Sequence, residues 1–251
     1  KIDNLSKNIS IVKKINSFFK SYNEIRIIDL GTGTGSNFRY LSKKIKYKNQ
    51  SWTLMDLSKS SLNEAKKNLV INNKIKKIIL KHDDIIKNIQ QHNFEDYDLV
   101  TGSAFLDIMP FDWFKKFYIK NKNTKLVYFS INYDGYIKFY PKHNLDRDIL
   151  QLFNNDQKSK KNNKTRAVGP DCSNIINRCF SKTHKCYLFK SNWIDVKNKN
   201  FQLMFLDFCE NIIKTNRKTN FSEWLDFRKE NIIKNNSKLS VSNKDFLAIK
   251  I

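Results

Sequence analysis

Residues 25–37 read IRIIDLGTGTGSN, and residues 52–58 read WTLMDLS. The first segment is β-branched and aliphatic up to Asp29, then places Gly31, Gly33 and Gly35 in one turn, and a helical pattern opens at Ser36. About twenty residues further on, where such units place an acid, a second strand ends in Asp56. Strand, glycine turn, helix and strand make a βαβ unit, so the chain must build a parallel sheet. The turn and the acid then share the carboxyl edge, where open α/β sheets bind ligands. Glycine lets the backbone pass close to a ligand where a Cβ would collide. The chain has only six glycines, and a turn that takes three of them reads as shaped for a ligand.

Two kinds of ligand compete for that turn. A dinucleotide site wants GxGxxG, with its pyrophosphate on the helix N-terminus. Here the glycines fall as GxGxG, and Ser36 stands where the last glycine of that fingerprint would be. Asp29, two residues before Gly31, would repel a pyrophosphate. It suits a ligand that carries an ammonium. S-adenosylmethionine has a sulfonium and an α-ammonium and no phosphate, so the pattern favours it over a dinucleotide. Asp56 is placed to accept hydrogen bonds from the ribose hydroxyls.

The rest of the chain continues the β–α alternation. Strands are expected at 25–30, 51–56, 75–81, within 97–107 up to about Gly102, and at 124–132, 186–193 and 245–251. Helices are expected at 36–46 with Ser36 as N-cap, 60–72 with Ser61 and Glu64 at capping-box spacing, 110–120, 144–154, from Gly169 and Pro170 to about 182, 199–215 and 220–235. Residues 5–21 read as an amphipathic helix with Leu5, Ile9, Val12, Ile15 and Phe19 on one stripe. The segment 133–141, YDGYIKFYP, reads as a turn and a short ribbon. We expect one domain over 1–251, with an N-terminal helix in 1–22, a cofactor-binding half in 23–132 and a substrate-side half with a helical lid in 133–251.

Composition narrows the partners. The formal charge is +23, from 47 Lys and Arg against 24 Asp and Glu. That excess suits nucleic acid. The lysines, however, are scattered in a chain rich in Lys, Asn and Ile, and only KSKKNNKTR at 158–166 is a dense basic run, without aromatics for base stacking. Nucleic acid is therefore not the favoured partner. The four cysteines form no CxxC pair, and no His lies at zinc spacing. Cys172, Ile175, Ile176 and Cys179 share one helical face and read as small buried hydrophobes in a reducing cytosol. No apolar run reaches transmembrane length and no leader pattern is present, so a cytoplasmic location without membrane contact is expected. The numbering starts at Lys1 rather than Met, so a natural start upstream is expected.

With these motifs in order, the chain resembles the class I, seven-strand, S-adenosylmethionine-dependent methyltransferases over about residues 20–251. Within them it is similar to an uncharacterised bacterial stand-alone group. The segments that carry this are GTGTGSNFRYL (31–41), WTLMD (52–56), SAFLD (103–107) and DFLAI (245–249). The resemblance implies a doubly wound, mostly parallel α/β sheet in the order 3-2-1-4-5-7-6, with the last strand antiparallel and helices on both faces. It also implies that Asp29 and Gly31 hold the methionine ammonium, that Gly33 and Gly35 give close backbone approach, and that Asp56 takes the ribose. Asp83 or Asp84 would meet the adenine amino group, and Ser103 would border cofactor and substrate. Asn37 and Arg39 belong to the group's pattern; a helix-surface salt bridge is the alternative for Arg39.

The acceptor is less legible. SAFLD is not an Asn/Asp-Pro-Pro-aromatic element, which argues against methylation of exocyclic amines and glutamine amides. No Pro-Cys dipeptide offers a nucleophile for pyrimidine carbon-5. No acid cluster suggests a metal, and none is expected. Position alone leaves Asp107, Tyr133 and Asp134 as catalytic candidates, with Gln157 near the pocket mouth. A helix cap is the alternative for Asp107, and a turn with Gly135 for Tyr133 and Asp134. Residues 141–169 and the last two helices could form a lid, and a basic lid would favour an anionic small substrate; a solvated loop is the slightly favoured alternative. Four functions follow in order: a small-molecule methyltransferase, an RNA or protein methyltransferase, a non-catalytic adenosyl-ligand-binding protein, and a dinucleotide oxidoreductase.

Overall fold

Alternation of buried residues along the strands decides the layering. In β1 (Ile25–Leu30), Ile25 and Ile27 join one apolar cluster, and Ile28 and Leu30 join another. Successive strand side chains point to opposite faces, so a strand buried on both must carry helices on both. The computed structural model describes residues 2–159, 161–162, 165–215 and 221–251. β1 pairs in parallel with β2 (Gln50–Asp56) and β4 (Leu99–Ser103); β3 (Ile75–His82) lies outside β2, and β5 (Leu126–Tyr140) lies beside β4. β8 (Lys238–Lys250) runs antiparallel between β5 and β6 (His184–Lys190), and β7 (Trp193–Val196) also pairs with β8. The order is β3-β2-β1-β4-β5-β8-β6, with β7 off this path. This is the expected order with one strand added, because the segment expected as a single strand at 186–193 is split into β6 and β7.

On one face, α2 (Ile9–Phe18) and α3 (Ser36–Lys44) pack through Ile11, Ile15, Phe38 and Leu41 on Ile27, Trp52, Leu54 and Tyr128. On the other, α5 (Phe111–Asn121) and α7 (Cys172–Phe180) bring Trp113, Phe117, Cys172 and Ile176 against Val100, Phe129 and Phe246. A third cluster lies farther along β5 and β8, where Ile137, Phe139, Leu239 and Val241 meet α6 (Asp146–Ser159), α8 (Lys199–Thr215) and α9 (Ser222–Ile233).

Several local expectations are corrected. The segment 133–141 is not a turn and ribbon: β5 runs on to Tyr140, and β8 starts at Lys238 to pair with it, Val241 opposite Ile137 and Leu239 opposite Phe139. Two bulges absorb the mismatch in register along this pair. One holds Ile131 at φ +55° and the other holds Gly135 at φ +96°. The N-terminal helix is broken: α1 (Ile2–Ser6) ends before Lys7, and Asn8 caps α2 by accepting from the Ser10 amide. The break shifts the helical phase, so Leu5 is 86% exposed, while Ile11, Val12, Ile15 and Phe19 are buried. Gly35, not Ser36, caps α3, and it uses no side chain. Ser58, not Ser61, caps α4 (Lys59–Lys67), its Oγ accepting from the Ser61 amide at 3.1 Å. Within the basic run 158–166, Lys160, Asn163 and Lys164 lie outside the described residues, as does Asn220 of the expected last helix. Among the described residues, no helix is long and apolar enough to cross a membrane.

Arg228 ties the third cluster together. Its buried guanidinium donates to the Pro141 carbonyl and to Asp146 Oδ1, and lies 4.9 Å from the Phe139 ring centroid and 5.4 Å from that of Trp224. Trp224 Nε1 donates to the same carboxylate oxygen at 2.8 Å. Arg228→Ala leaves Asp146 without its cation in a half-enclosed site, and a loss of about 3–5 kcal/mol is expected. Urea denaturation measures it; a loss below about 1 kcal/mol would show that the pair does not hold α6 to α9.

Candidate functional site

The carboxyl ends of β1 to β4 meet at one cleft of about 250 Å³, just below the ~300–1,000 Å³ range of small-ligand sites. Its walls are apolar, from Met55, Leu57, Ile85, Ile86, Phe105, Ile108 and Met109, and three carboxylates, Asp56, Asp83 and Asp84, complete it with Gly31 and Ala104. No Lys, Arg or His stands among these lining residues.

The three turn glycines have left-handed backbones and different duties. Gly31, at φ +60°, makes room for a ring: a Cβ there would lie 2.5 Å from Phe105 Cδ2. Phe105 stacks in turn on Phe129, with centroids 5.8 Å apart. Gly33, at φ +54°, faces open space, with nothing within 4 Å of where a Cβ would be. Gly35, at φ +82°, caps α3. Among the described residues Arg39 makes no salt bridge; its Nη1 donates to the Thr34 carbonyl and braces the turn.

Asp56 sits at the end of β2. Its Oδ2 accepts from the Gly33 amide at 2.7 Å and its Oδ1 from the Ser58 amide at 2.8 Å. A carboxylate has about four acceptor positions, so these two bonds orient it and leave capacity for a ligand. At the end of β3, Asp83 Oδ1 accepts from Asn88 Nδ2 at 2.7 Å, and Oδ2 lies 3.2 Å from His92 Nε2 and 3.7 Å from Lys81 Nζ. Burial opposes the charge of Asp83, but Asn88, His92 and Lys81 outweigh it and hold the carboxyl below the usual carboxylate range. Asp84 Oδ1 accepts from the Ile86 and Lys87 amides at 3.0 and 3.2 Å. Asp84 thus shapes the turn, Asp83 is gripped by side chains, and both line the cleft.

Asp29 departs from expectation. It is 0% exposed and lies beneath the turn rather than in the cleft, so it does not present a free carboxylate to an ammonium. Its Oδ2 accepts from Thr32 Oγ1 at 2.6 Å and its Oδ1 from Asn37 Nδ2 at 2.7 Å. Burial pushes its carboxyl up to about 6, against the pull of Thr32, Asn37 and Lys7. Asn37 is likewise buried, also reaching Thr101 Oγ1 at 3.2 Å. Sequence reasoning missed the third member: Lys7 Nζ donates to Asn37 Oδ1 at 2.8 Å, and burial pushes this ammonium down to about 8. The only signal for it was a lysine inside an apolar helical pattern.

Ser103 ends β4 opposite Ser130, but the residues that reach the cleft are its successors, Ala104 and Phe105. Ala104 takes φ +51° to make that exit. The catalytic candidates are less well placed, and none of them lines the cleft. The Tyr133 hydroxyl donates to Asn154 Oδ1 at 2.8 Å, and burial, aided by Asp134, Cys209 and Asp107, pushes the phenol far above its usual range, so it stays protonated. Asp134 Oδ2 lies 3.3 Å from Lys244 Nζ. Gln157 is buried on α6, packed beside Gly169. Asp107 lies in the turn Leu106–Ile108, next to the cleft residues Ile108 and Met109. Among the described residues no group of three or more His, Cys, Asp and Glu could hold a metal ion.

Comparison with known proteins agrees with this geometry. Residues 27–119, which run from β1 through most of α5, match a family described as a methyltransferase domain. No curated protein matches the sequence. Among solved structures, a cyclopropane-fatty-acyl-phospholipid synthase-like protein from Lactobacillus casei matches with TM-score 0.56 at 11% identity, covering 99% of this chain and 91% of that one. The YcgJ protein from Bacillus subtilis matches with TM-score 0.53 at 12% identity, covering 97% and 99%. The cyclopropane synthase MmaA2 from Mycobacterium tuberculosis matches with TM-score 0.50 at 10% identity, covering 96% and 83%. At these identities the likeness is one of fold.

The glycine duties can be separated by substitution. Gly33→Ala meets no neighbour and is expected to cost only the ~1–2 kcal/mol of a left-handed alanine. Gly31→Ala adds the displacement of Phe105 and is expected to cost more. Thermal unfolding of both variants checks the order; equal losses would mean that Phe105 does not depend on Gly31.

Proposed function

We propose that this chain, which carries a methyltransferase domain over residues 27–119 on a class I, Rossmann-like fold, is an S-adenosylmethionine-dependent methyltransferase acting on a small-molecule acceptor. The cofactor is S-adenosylmethionine. The observation that carries the reading is the charge of the cleft: three carboxylates and no cation among its described lining residues. A pyrophosphate would be repelled there, whereas a ligand bearing a sulfonium and an ammonium is attracted. Asp56, already oriented by two backbone amides, would take the ribose hydroxyls. Leu57, Ile85, Ile86 and Met109 would enclose the adenine, with Asp83 or Asp84 at its amino group. The open face of Gly33 and the backbone of Gly31 would receive the methionine portion.

When bound, the cofactor supplies an electrophilic methyl on a cationic sulfur, which leaves as a neutral thioether. The protein's part is alignment and the exclusion of water. The apolar wall of Phe105, Ile108 and Met109 would keep the reacting end dry. Asp107, beside that wall, is the candidate to accept a proton from the acceptor. Tyr133, protonated and bonded to Asn154 away from the cleft, takes no part in this step. We read the whole chain as one catalytic unit, with α6, α8 and α9 as the cover of the acceptor side, in a reducing cytosol. The absence of an Asn/Asp-Pro-Pro-aromatic element after β4 supports a small molecule over exocyclic amines of nucleic acid or protein amides.

Calorimetric titration with S-adenosylmethionine, S-adenosylhomocysteine and NAD tests this. Both adenosyl ligands should bind and NAD should not. Asp56→Ala should weaken binding at least tenfold, with its fold checked by circular dichroism. Binding of NAD alone would revive the oxidoreductase. Binding without methyl transfer to any small molecule, RNA or protein would leave a non-catalytic adenosyl-binding protein.

A further inference from the structure

Lys7 lies outside the matched domain, in the link between α1 and α2, yet its side chain ends beneath the glycine turn. It is 5% exposed. The next residue, Asn8, donates its amide to Asp245 Oδ2 at 3.0 Å, which pins the link to β8. A buried lysine is costly, so its placement needs a reason.

The hydrogen bonds supply one. An asparagine amide has an accepting end and a donating end. Lys7 Nζ donates to Asn37 Oδ1 at 2.8 Å. That sets the oxygen toward the lysine and leaves Nδ2 for Asp29 Oδ1 at 2.7 Å and Thr101 Oγ1 at 3.2 Å. The other Asp29 oxygen accepts from Thr32 Oγ1 at 2.6 Å, and Thr32 stands between Gly31 and Gly33. If the amide were reversed, its oxygen would face the carboxylate and release Asp29. On the reading of the turn as the cofactor site, we infer that Lys7 is a positioning residue: through Asn37 its ammonium orients Asp29 against Thr32, and so holds the glycine turn in its binding form. The segment before β1 is therefore a working part of the site.

The groups that face Lys7 are Asp3 on α1, Asp29 on β1, Asp245 on β8 and the Tyr40 ring on α3, whose centroid is 4.9 Å from Nζ. Burial pushes Lys7 down to about 8 and Asp29 up to about 6, so both carry charge together in the window between these values. As pH rises through that upper edge, Lys7 becomes neutral. As pH falls through the lower edge, Asp29 becomes protonated. Either change weakens the hold on the turn.

The test is the ratio of S-adenosylhomocysteine Kd values for Lys7→Met and wild type, measured by calorimetry from pH 6 to 9.5. The ratio cancels the ligand's own titration. We expect about a tenfold weaker variant near pH 7, with the ratio narrowing as pH rises past about 8, because the neutral amine keeps a weaker donor for Asn37 but loses the charge that strengthens it. A ratio of one at pH 7, or a ratio that does not change with pH, would overturn the inference, since a packing role has no such dependence. Should Lys7→Met fail to fold, NMR titration of the buried lysine in wild type replaces it. Saturating S-adenosylhomocysteine should raise the titration midpoint of Lys7, and an unmoved midpoint would overturn the proposal. Wild type that binds no adenosyl ligand would instead sink the proposed function.

Discussion

The site rests on a carboxylate that water does not reach. Asp29, next to last in β1, lies under the glycine turn, enclosed, with Thr32 and Asn37 as its donors. An enclosed carboxylate must be fully engaged or it takes up a proton. Its engagement couples parts of the chain that the sequence keeps apart: the turn through Thr32, α3 and β4 through Asn37 and Thr101, and the N-terminal link through Lys7. The cleft opens above this network, lined by Asp56, which backbone amides orient and leave available, and by Asp83 and Asp84. The carboxylates thus face the cleft, while the cations Lys7, Arg39 and Lys81 stand behind them.

The parallel half of the fold was legible because its signals are local. A β-branched run ending in an acid, a glycine turn and a helical stripe each lie within a dozen residues, and together they leave little freedom. Asp56 could be read for the same reason: it closes a strand, and strand ends at that edge line the cleft. The long halves of β5 and β8 were not legible. Gly135 and Pro141 look like punctuation in the sequence, but here the glycine sits in a bulge within a continuous strand. What makes 133–140 a strand is its partner in β8, far along the chain, and no local pattern reports a partner.

The same cause misplaced the catalytic candidates. Read as a turn after β5, Tyr133 and Asp134 would crown the cleft. On a strand that continues, Tyr133 reaches α6 and Asp134 reaches Lys244. Asp29 was read correctly as an acid at the end of β1, but burial was invisible, because the residues that cover it come from α3 and the N-terminal link. Phe105 was equally hidden. Nothing in SAFLD says that a phenyl ring fills the space that Gly31 leaves, although Gly31 as a shape requirement was legible.

The position of β8 between β5 and β6 bears on how the molecule comes together. β8 is made well after every other strand of the sheet, and it alone bridges β5 to β6. It also carries Asp245, which receives the amides of Asn8 and Ile131. Contacts of such separation are slow to form, since loop closure precedes any gain. The link at Asn8 therefore waits for Asp245, 237 residues farther along the chain, before its anchor exists. Until then the link that carries Lys7 has no β8 to rest on, and a nascent chain halted before β8 holds the glycine motif complete in sequence without the support that reaches it from across the sheet.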